Sequence, residues 1–214
     1  MAPALNWHLE ILPPAQRSLW DSCLSHGLPG WVLYGGTALA LHLGHRQSID
    51  FDFFSSQSFE PLALHQNLKL GDDILQAAPD TLSVMHQGVK LSFFGRLSLG
   101  VVAPPALLNA CRVASLEDIA AGKLAALVNR VELKDYLDIA AILRNGGKLA
   151  RLLGCAEAVY HGAFPIAACL KSLTWFESPE LDSLSMPDRS LLESAALEVE
   201  TIDNVPLISD RIGS

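Results

Sequence analysis

Apolar residues recur along this 214-residue chain at two spacings, one helical and one extended. Residues 5–27 read as a first helical region, with Leu12, Leu19 and Leu24 supplying an apolar stripe and Pro13-Pro14 interrupting it. Gly27, Pro29 and Gly30 close it. Trp31-Val-Leu-Tyr34 is a short run of strand formers, followed at once by Gly35-Gly36 and then by the helix-favouring Thr37-Ala-Leu-Ala-Leu-His-Leu. The pattern predicts strand, tight turn, helix, with Thr37 at the N-cap and Gly44 at the end. Ser48-Ile-Asp-Phe-Asp-Phe-Phe54 then alternates with period two. As a strand it puts Ser48, Asp50 and Asp52 on one face and Ile49, Phe51 and Phe53 on the core face.

A helix over about 59–69 precedes Leu82–Phe94, which reads as a hairpin turning at Gln87-Gly88 and brings the sheet to at least four strands. Ala103-Pro-Pro105 marks a loop. Ser115-Leu-Glu-Asp118 resembles a capping box opening a helix through Ile119, Leu124 and Leu127, and a further helix covers Lys134–Arg144 before Asn145-Gly146-Gly147. From 148 onward helices broken at Pro165, Pro179 and Pro187 lead to a weakly structured tail after about residue 202. The expected class is α+β: a mixed sheet flanked by helices over 1–112, and a helical subdomain over 113–214 packed on it.

Composition narrows the class of molecule. Half the residues are hydrophobic and the mean hydropathy is +0.29, yet no apolar run approaches the ~18 residues of a membrane span. The N-terminal segment lacks a secretory pattern, so the reading is a cytoplasmic protein with no membrane association. Cys23, Cys111, Cys155 and Cys169 are widely spaced, which suits small buried hydrophobes rather than a metal or disulfide framework. The net charge of −8 is concentrated at the end: residues 175–214 hold nine acidic and two basic side chains. Within 90–151 the balance reverses to nine basic against five acidic, which permits a phosphate-bearing partner.

Two carboxylates at i and i+2 on a strand project the same way and can share divalent cations. Alone, such a pair is an ordinary solvated strand face. Here a Gly-Gly-Thr turn into a helix lies 13 residues before Asp50, and its backbone N–H groups suit phosphate oxygens while metal on the carboxylates would neutralise a triphosphate. Further on, a single helix over 120–143 would align Lys123, Arg130, Lys134 and Asp138 in one polar stripe. A break near Asn129-Arg130 would remove that alignment.

Taken in order, Tyr34-Gly-Gly-Thr-Ala-Leu-Ala-Leu, His45-Arg-Gln-Ser-Ile-Asp-Phe-Asp-Phe-Phe54, Ser115-Leu-Glu-Asp-Ile-Ala-Ala-Gly-Lys-Leu-Ala-Ala-Leu and Lys134-Asp-Tyr-Leu-Asp-Ile139 resemble the AbiEii/AbiGii toxin family of the nucleotidyltransferase superfamily. The resemblance spans about residues 31–145. It implies a nucleotidyltransferase-like core and Mg²⁺- (or Mn²⁺-) dependent transfer of a nucleoside monophosphate from an NTP to an acceptor hydroxyl. In characterised relatives the acceptor can be the tRNA 3′ end, and an antitoxin protein is the usual partner. By the same resemblance Asp50 and Asp52 bind metal, Gly35, Gly36 and Thr37 hold the triphosphate, and Lys123 reaches toward phosphate. Asp138, with Asp135, completes the catalytic set. Arg46, Lys90, Arg130 and Lys134 are further nucleotide-side candidates.

One position departs from the superfamily pattern. A third carboxylate usually stands on a neighbouring strand, and in Val89-Lys-Leu-Ser-Phe-Phe94 its place holds Ser92, with Lys90 on the same face. A two-metal mechanism loses a ligand there; either Asp138 or water substitutes, or catalysis is weak or absent. Three readings follow: a nucleotidyltransferase acting on tRNA, a catalytically silent nucleotide- or partner-binding module, and a transferase acting on a small acceptor such as an aminoglycoside.

Overall fold

The strand that carries both carboxylates buries one of its two faces. The computed structural model describes residues 6–71 and 73–213; the expected start of the first helical region at residue 5 lies outside them. β1 (Val32–Tyr34) runs directly into α2 (Gly35–Leu43), and β2 (Asp50–Phe54) returns antiparallel to β1. Phe51 and Phe53 are fully buried while Asp50 and Asp52 are half-exposed, as the period-two reading requires. Ile49 does not join them on the core face: β2 begins one residue later and Ile49 is 69% exposed.

The chain falls into two compact units, Met1–Leu99 with Pro104–Ser115 and Ser209–Ser214, and Gly100–Ala103 with Leu116–Ile208. The first is built on a seven-stranded mixed sheet. Besides β1 and β2 it contains β3 (Asp73–Ala78), β4 (Thr81–His86), β5 (Val89–Phe94), β6 (Ala106–Leu108) and β7 (Cys111–Val113), in the order β3-β4-β5-β2-β1-β7-β6. The β2–β5 and β1–β7 pairs are parallel and the rest antiparallel. α1 (Pro14–Ser22) opens with proline at its first position, where no N–H is needed, and stacks Trp20 on Phe51 with ring centroids 6.2 Å apart. Phe53 and Phe93 stack at 5.4 Å beneath the same layer. Truncating one such buried ring to alanine costs about 3–5 kcal/mol. α3 (Pro61–Asn67) completes this unit's helices.

The second unit is helical: α4 (Leu116–Asn129), α5 (Leu133–Arg144), α6 (Leu149–Val159), α7 (Ile166–Thr174) and α8 (Met186–Leu197). α4 and α5 are two helices, not one, so the single polar stripe over 120–143 does not exist. Glu132 is extended at the break and its carbonyl accepts from Asp135 N. Asp118 accepts from Val102 N and Ala103 N at 2.9 and 3.4 Å, tying the 100–103 segment to α4. The stretch after residue 202 has no helix, yet it is hydrogen-bonded along its length. Asp203 N donates to Ala150 O and Ile208 N to Val101 O in the helical unit. In the sheet unit Ser56 Oγ donates to Ile212 O, and Ile212 is 1% exposed. No described helix is long and apolar enough to cross a membrane.

Candidate active site

The turn between β1 and α2 is shaped by what it touches. Gly35 has φ +73°, in the left-handed region, and a Cβ there would collide with Asp52 Oδ2. A Cβ on Gly36 would lie 2.8 Å from Ser48 Oγ and 3.1 Å from Arg46 Nη2. Both glycines therefore let the backbone rest directly on the acidic strand and its lead-in. They also let the helix start at Gly35, so Thr37 lies inside the first turn and is not the N-cap; Tyr34 takes that place and no side chain caps the helix. The Thr37 hydroxyl, 1% exposed, donates instead to the carbonyl of Asp50. This bond fixes the helix start to the strand that carries the carboxylates.

Strand register completes the face. Asp50 is level with Lys90, and Asp52 with Ser92, across the parallel β2–β5 pair, so these four side chains project to one side. Ser83 of β4 is level with Ser92, and its hydroxyl donates to Ser92 Oγ at 3.3 Å; both serines are buried. The carboxylate of Asp50 and the ammonium of Lys90 have no hydrogen bond or ion pair among the described residues. Arg46 donates through Nη1 to Gln47 O at 2.9 Å.

The later motif forms a cluster within the helical unit. Lys123 Nζ lies 2.9 Å from Asp135 Oδ1 and 2.6 Å from Asp138 Oδ2, with both carboxylates fully buried. Arg130 Nε reaches Asp135 at 3.0 Å, and Glu132 bridges Arg130 and Lys134 at 3.4 and 2.8 Å. Arg144 pairs with Asp188, and Arg151 with Glu117 at 2.9 Å. Five of the nine cations in 90–151 are thus neutralised by carboxylates, and the positive excess of that region does not present itself as one free basic surface.

The structure gathers Gly35, Gly36, Thr37, Arg46, Asp50, Asp52, Lys90 and Ser92 around one sheet face, and Lys123, Arg130, Lys134, Asp135 and Asp138 around one helix pair. Sequence reasoning missed Ser83, for which a serine on the polar side of an alternating strand is the signal; it set Ser48 on the face of Asp50 and Asp52, and Ser48 Oγ faces Gly36 from just ahead of β2. No group of three or more histidine, cysteine or acidic side chains forms a metal cluster among the described residues. The oxygen set on the sheet face is two carboxylates, which suits Mg²⁺, an ion commonly held by one or two carboxylates together with substrate phosphates. Burial pushes the thiols of Cys111, Cys155 and Cys169 up to about 12.

Comparison with known proteins adds independent findings. The model of the family described as nucleotidyl transferase AbiEii toxin, type IV toxin–antitoxin system, matches residues 18–93 and 75–198. An uncharacterized protein of Aquifex aeolicus (strain VF5) is 30% identical over 177 residues, covering 79% of this chain and 85% of the relative. The crystal structure of a provisionally named nucleotidyltransferase from H. pylori superimposes with a TM-score of 0.50 at 18% identity, over 79% of this chain and 85% of that one. That last likeness concerns the fold.

Proposed function

Because this chain belongs to the AbiEii nucleotidyl transferase toxin family, we propose that it transfers a nucleoside monophosphate from a Mg²⁺-bound NTP to an acceptor hydroxyl, using the Asp50–Asp52 face. The observation that carries this is the unpartnered Asp50 carboxylate beside Asp52, with the uncapped start of α2 packed against the same strand through Gly35. In this reading the backbone of Gly35 and Gly36 cradles phosphate, and Thr37 acts through its bond to Asp50 rather than as a ligand. Asp50 and Asp52 hold the cation, Mg²⁺ or Mn²⁺, which when bound supplies positive charge to the triphosphate. The acceptor oxygen bonds to the α-phosphorus as the bond to the β-phosphate oxygen breaks; the electron pair leaves with pyrophosphate, and the acceptor proton passes to water. Positioning and charge stabilisation are the protein's contribution.

Lys123, Asp135 and Asp138, with Arg130 as the second cation, we assign to one ion-pair cluster of the helical unit. Arg130 and Lys134, each about half exposed, are the accessible cations beside it. Membership in a type IV toxin–antitoxin family implies an antitoxin partner. The family resemblance makes the tRNA 3′ end the first acceptor to test, with the cytoplasm as the compartment where it and NTP meet. Ser92 beside Asp52 favours one other reading, a silent nucleotide-binding module.

Transfer of label from each of four α-³²P NTPs onto total tRNA, with and without Mg²⁺, separates these readings. Incorporation by the native protein that is lost in both Asp50→Asn and Asp52→Asn supports the enzyme. Binding of NTP and Mg²⁺ without incorporation into tRNA or aminoglycosides supports the silent module.

A further inference from the structure

Three strands place unlike chemistry side by side on the acidic face. The row through Asp52 continues into Ser92 and then Ser83, two buried hydroxyls bonded to one another at 3.3 Å. Neutral hydroxyls engaged with each other are poor competitors for a divalent ion, which prefers ionised carboxylates and water. The row through Asp50 continues into Lys90, about 5 Å away between neighbouring strands. Lys90 makes no ion pair with Asp50 or with any other described residue, although both project from the same side of the sheet. A half-exposed ammonium without a protein partner is open to an anionic ligand. A triphosphate is one.

Resting on the function proposed above, we infer that this site works with a single divalent cation, on Asp50 and Asp52, and that the Lys90 ammonium is its second positive centre, contacting the phosphate oxygens of the nucleotide. The inference accounts for both anomalies at once. Where the hydroxyl pair of Ser83 and Ser92 withdraws a metal ligand, the neighbouring row supplies a fixed cation that needs no ligands of its own. Lysine suits this task, since a flexible stem carries a compact charge to phosphate.

Counting bound ions tests it without relying on turnover. Mn²⁺ is titrated into the whole protein with an NTP analogue whose α–β bridging oxygen is replaced by methylene, and free Mn²⁺ is read by electron paramagnetic resonance. One Mn²⁺ per chain is expected for the native protein, and a second in Ser92→Asp, which restores a carboxylate beside Asp52. Lys90→Gln is expected to keep the ion but to weaken analogue binding by about 10- to 100-fold, with Lys90→Arg recovering part of the loss. Two ions in the native protein, or Lys90→Gln binding analogue like the native protein while folded by circular dichroism, overturns the inference and leaves the transferase reading standing. No Mn²⁺ bound at all overturns both.

Discussion

Asp50 and Lys90 on the sheet face, and Lys123, Asp135 and Asp138 in the helical unit, are similar residues in opposite states. On the sheet face, Asp50 and Lys90 stand level on adjacent strands and neither has a partner among the described residues. Between α4 and α5, Lys123 is 9% exposed and lies within 3 Å of two fully buried carboxylates, one of which also binds Arg130. Charges that are closed on one another hold a fold together or position a neighbour; charges left open are available to a ligand. The difference assigns ligand binding to the sheet face first, and it predicts that substitutions in the two clusters will fail in different ways.

The largest expected effect is on turnover. Asp50→Asn is expected to lower kcat/KM for label transfer by about 10³-fold or more, since a metal ligand is lost, while changing stability by less than about 0.5 kcal/mol. Urea denaturation alongside the kinetic assay checks both halves, and a large stability loss would show that Asp50 is not an open charge. Lys123→Met is expected to do the reverse of this in stability: leaving Asp135 and Asp138 buried without the ammonium that faces both costs about 3–5 kcal/mol. Lys123→Arg, keeping the charge in a different shape, is expected to recover part of it. If Lys123→Met unfolds at the native urea midpoint, the cluster is not the closed network described.

A smaller effect probes the join between helix start and acidic strand. Thr37→Val removes the donor to the Asp50 carbonyl in a site that is 1% exposed, costing about 1–2 kcal/mol. Because the bond fixes Asp50, KM for NTP is expected to rise with it. A stability loss with unaltered KM would confine Thr37 to the fold.

The acidic strand was legible because its period is unambiguous: two phenylalanines and two aspartates alternate, and only one face can be buried. Ile49 misled for the same reason, since extending the period by one residue past the real strand end assigns an exposed residue to the core. β3 was invisible because it is an edge strand with almost no buried side chain, bulged between Ile74 and Gln76, so no alternation marks it. β6 and β7 are three residues each, too short for a period to show. The Lys123 and Asp135 pairing could not be read from helical spacing because it is made across two helices, after a break whose signal, Asn129-Arg130, is shared by many continuous helices. The tail after 202 carries no period either; backbone bonds, which leave no trace in side-chain pattern, hold it.

Acid titration offers the gentlest way to separate the two regions. His42 on α2 donates from Nε2 to Ala114 O at 2.8 Å, its Nδ1 is buried without a partner, and Trp7 packs against the ring at 4.6 Å. Burial holds its pKa below the ordinary 6.5, with the bond to Ala114 offsetting this in part. The folded sheet unit therefore resists a proton that the unfolded chain accepts. Above 6.5 both states are neutral and stability is flat; as pH falls below 6.5 the unfolded state gains protons and stability drops until the folded pKa is passed. In the helical unit Asp188 follows a lower window. Burial would raise it, but the Ser185 hydroxyl and Arg144 hold it below 3.8, so its contribution persists until pH falls under that value. Hydrogen exchange at about pH 7.5 and about pH 5.5, corrected for intrinsic rates, is expected to show α2 amides losing protection before those of α8. His42→Gln, which keeps a donor toward Ala114 and cannot titrate, is expected to abolish the difference in α2; equal loss in that variant would shift the acid sensitivity to another group.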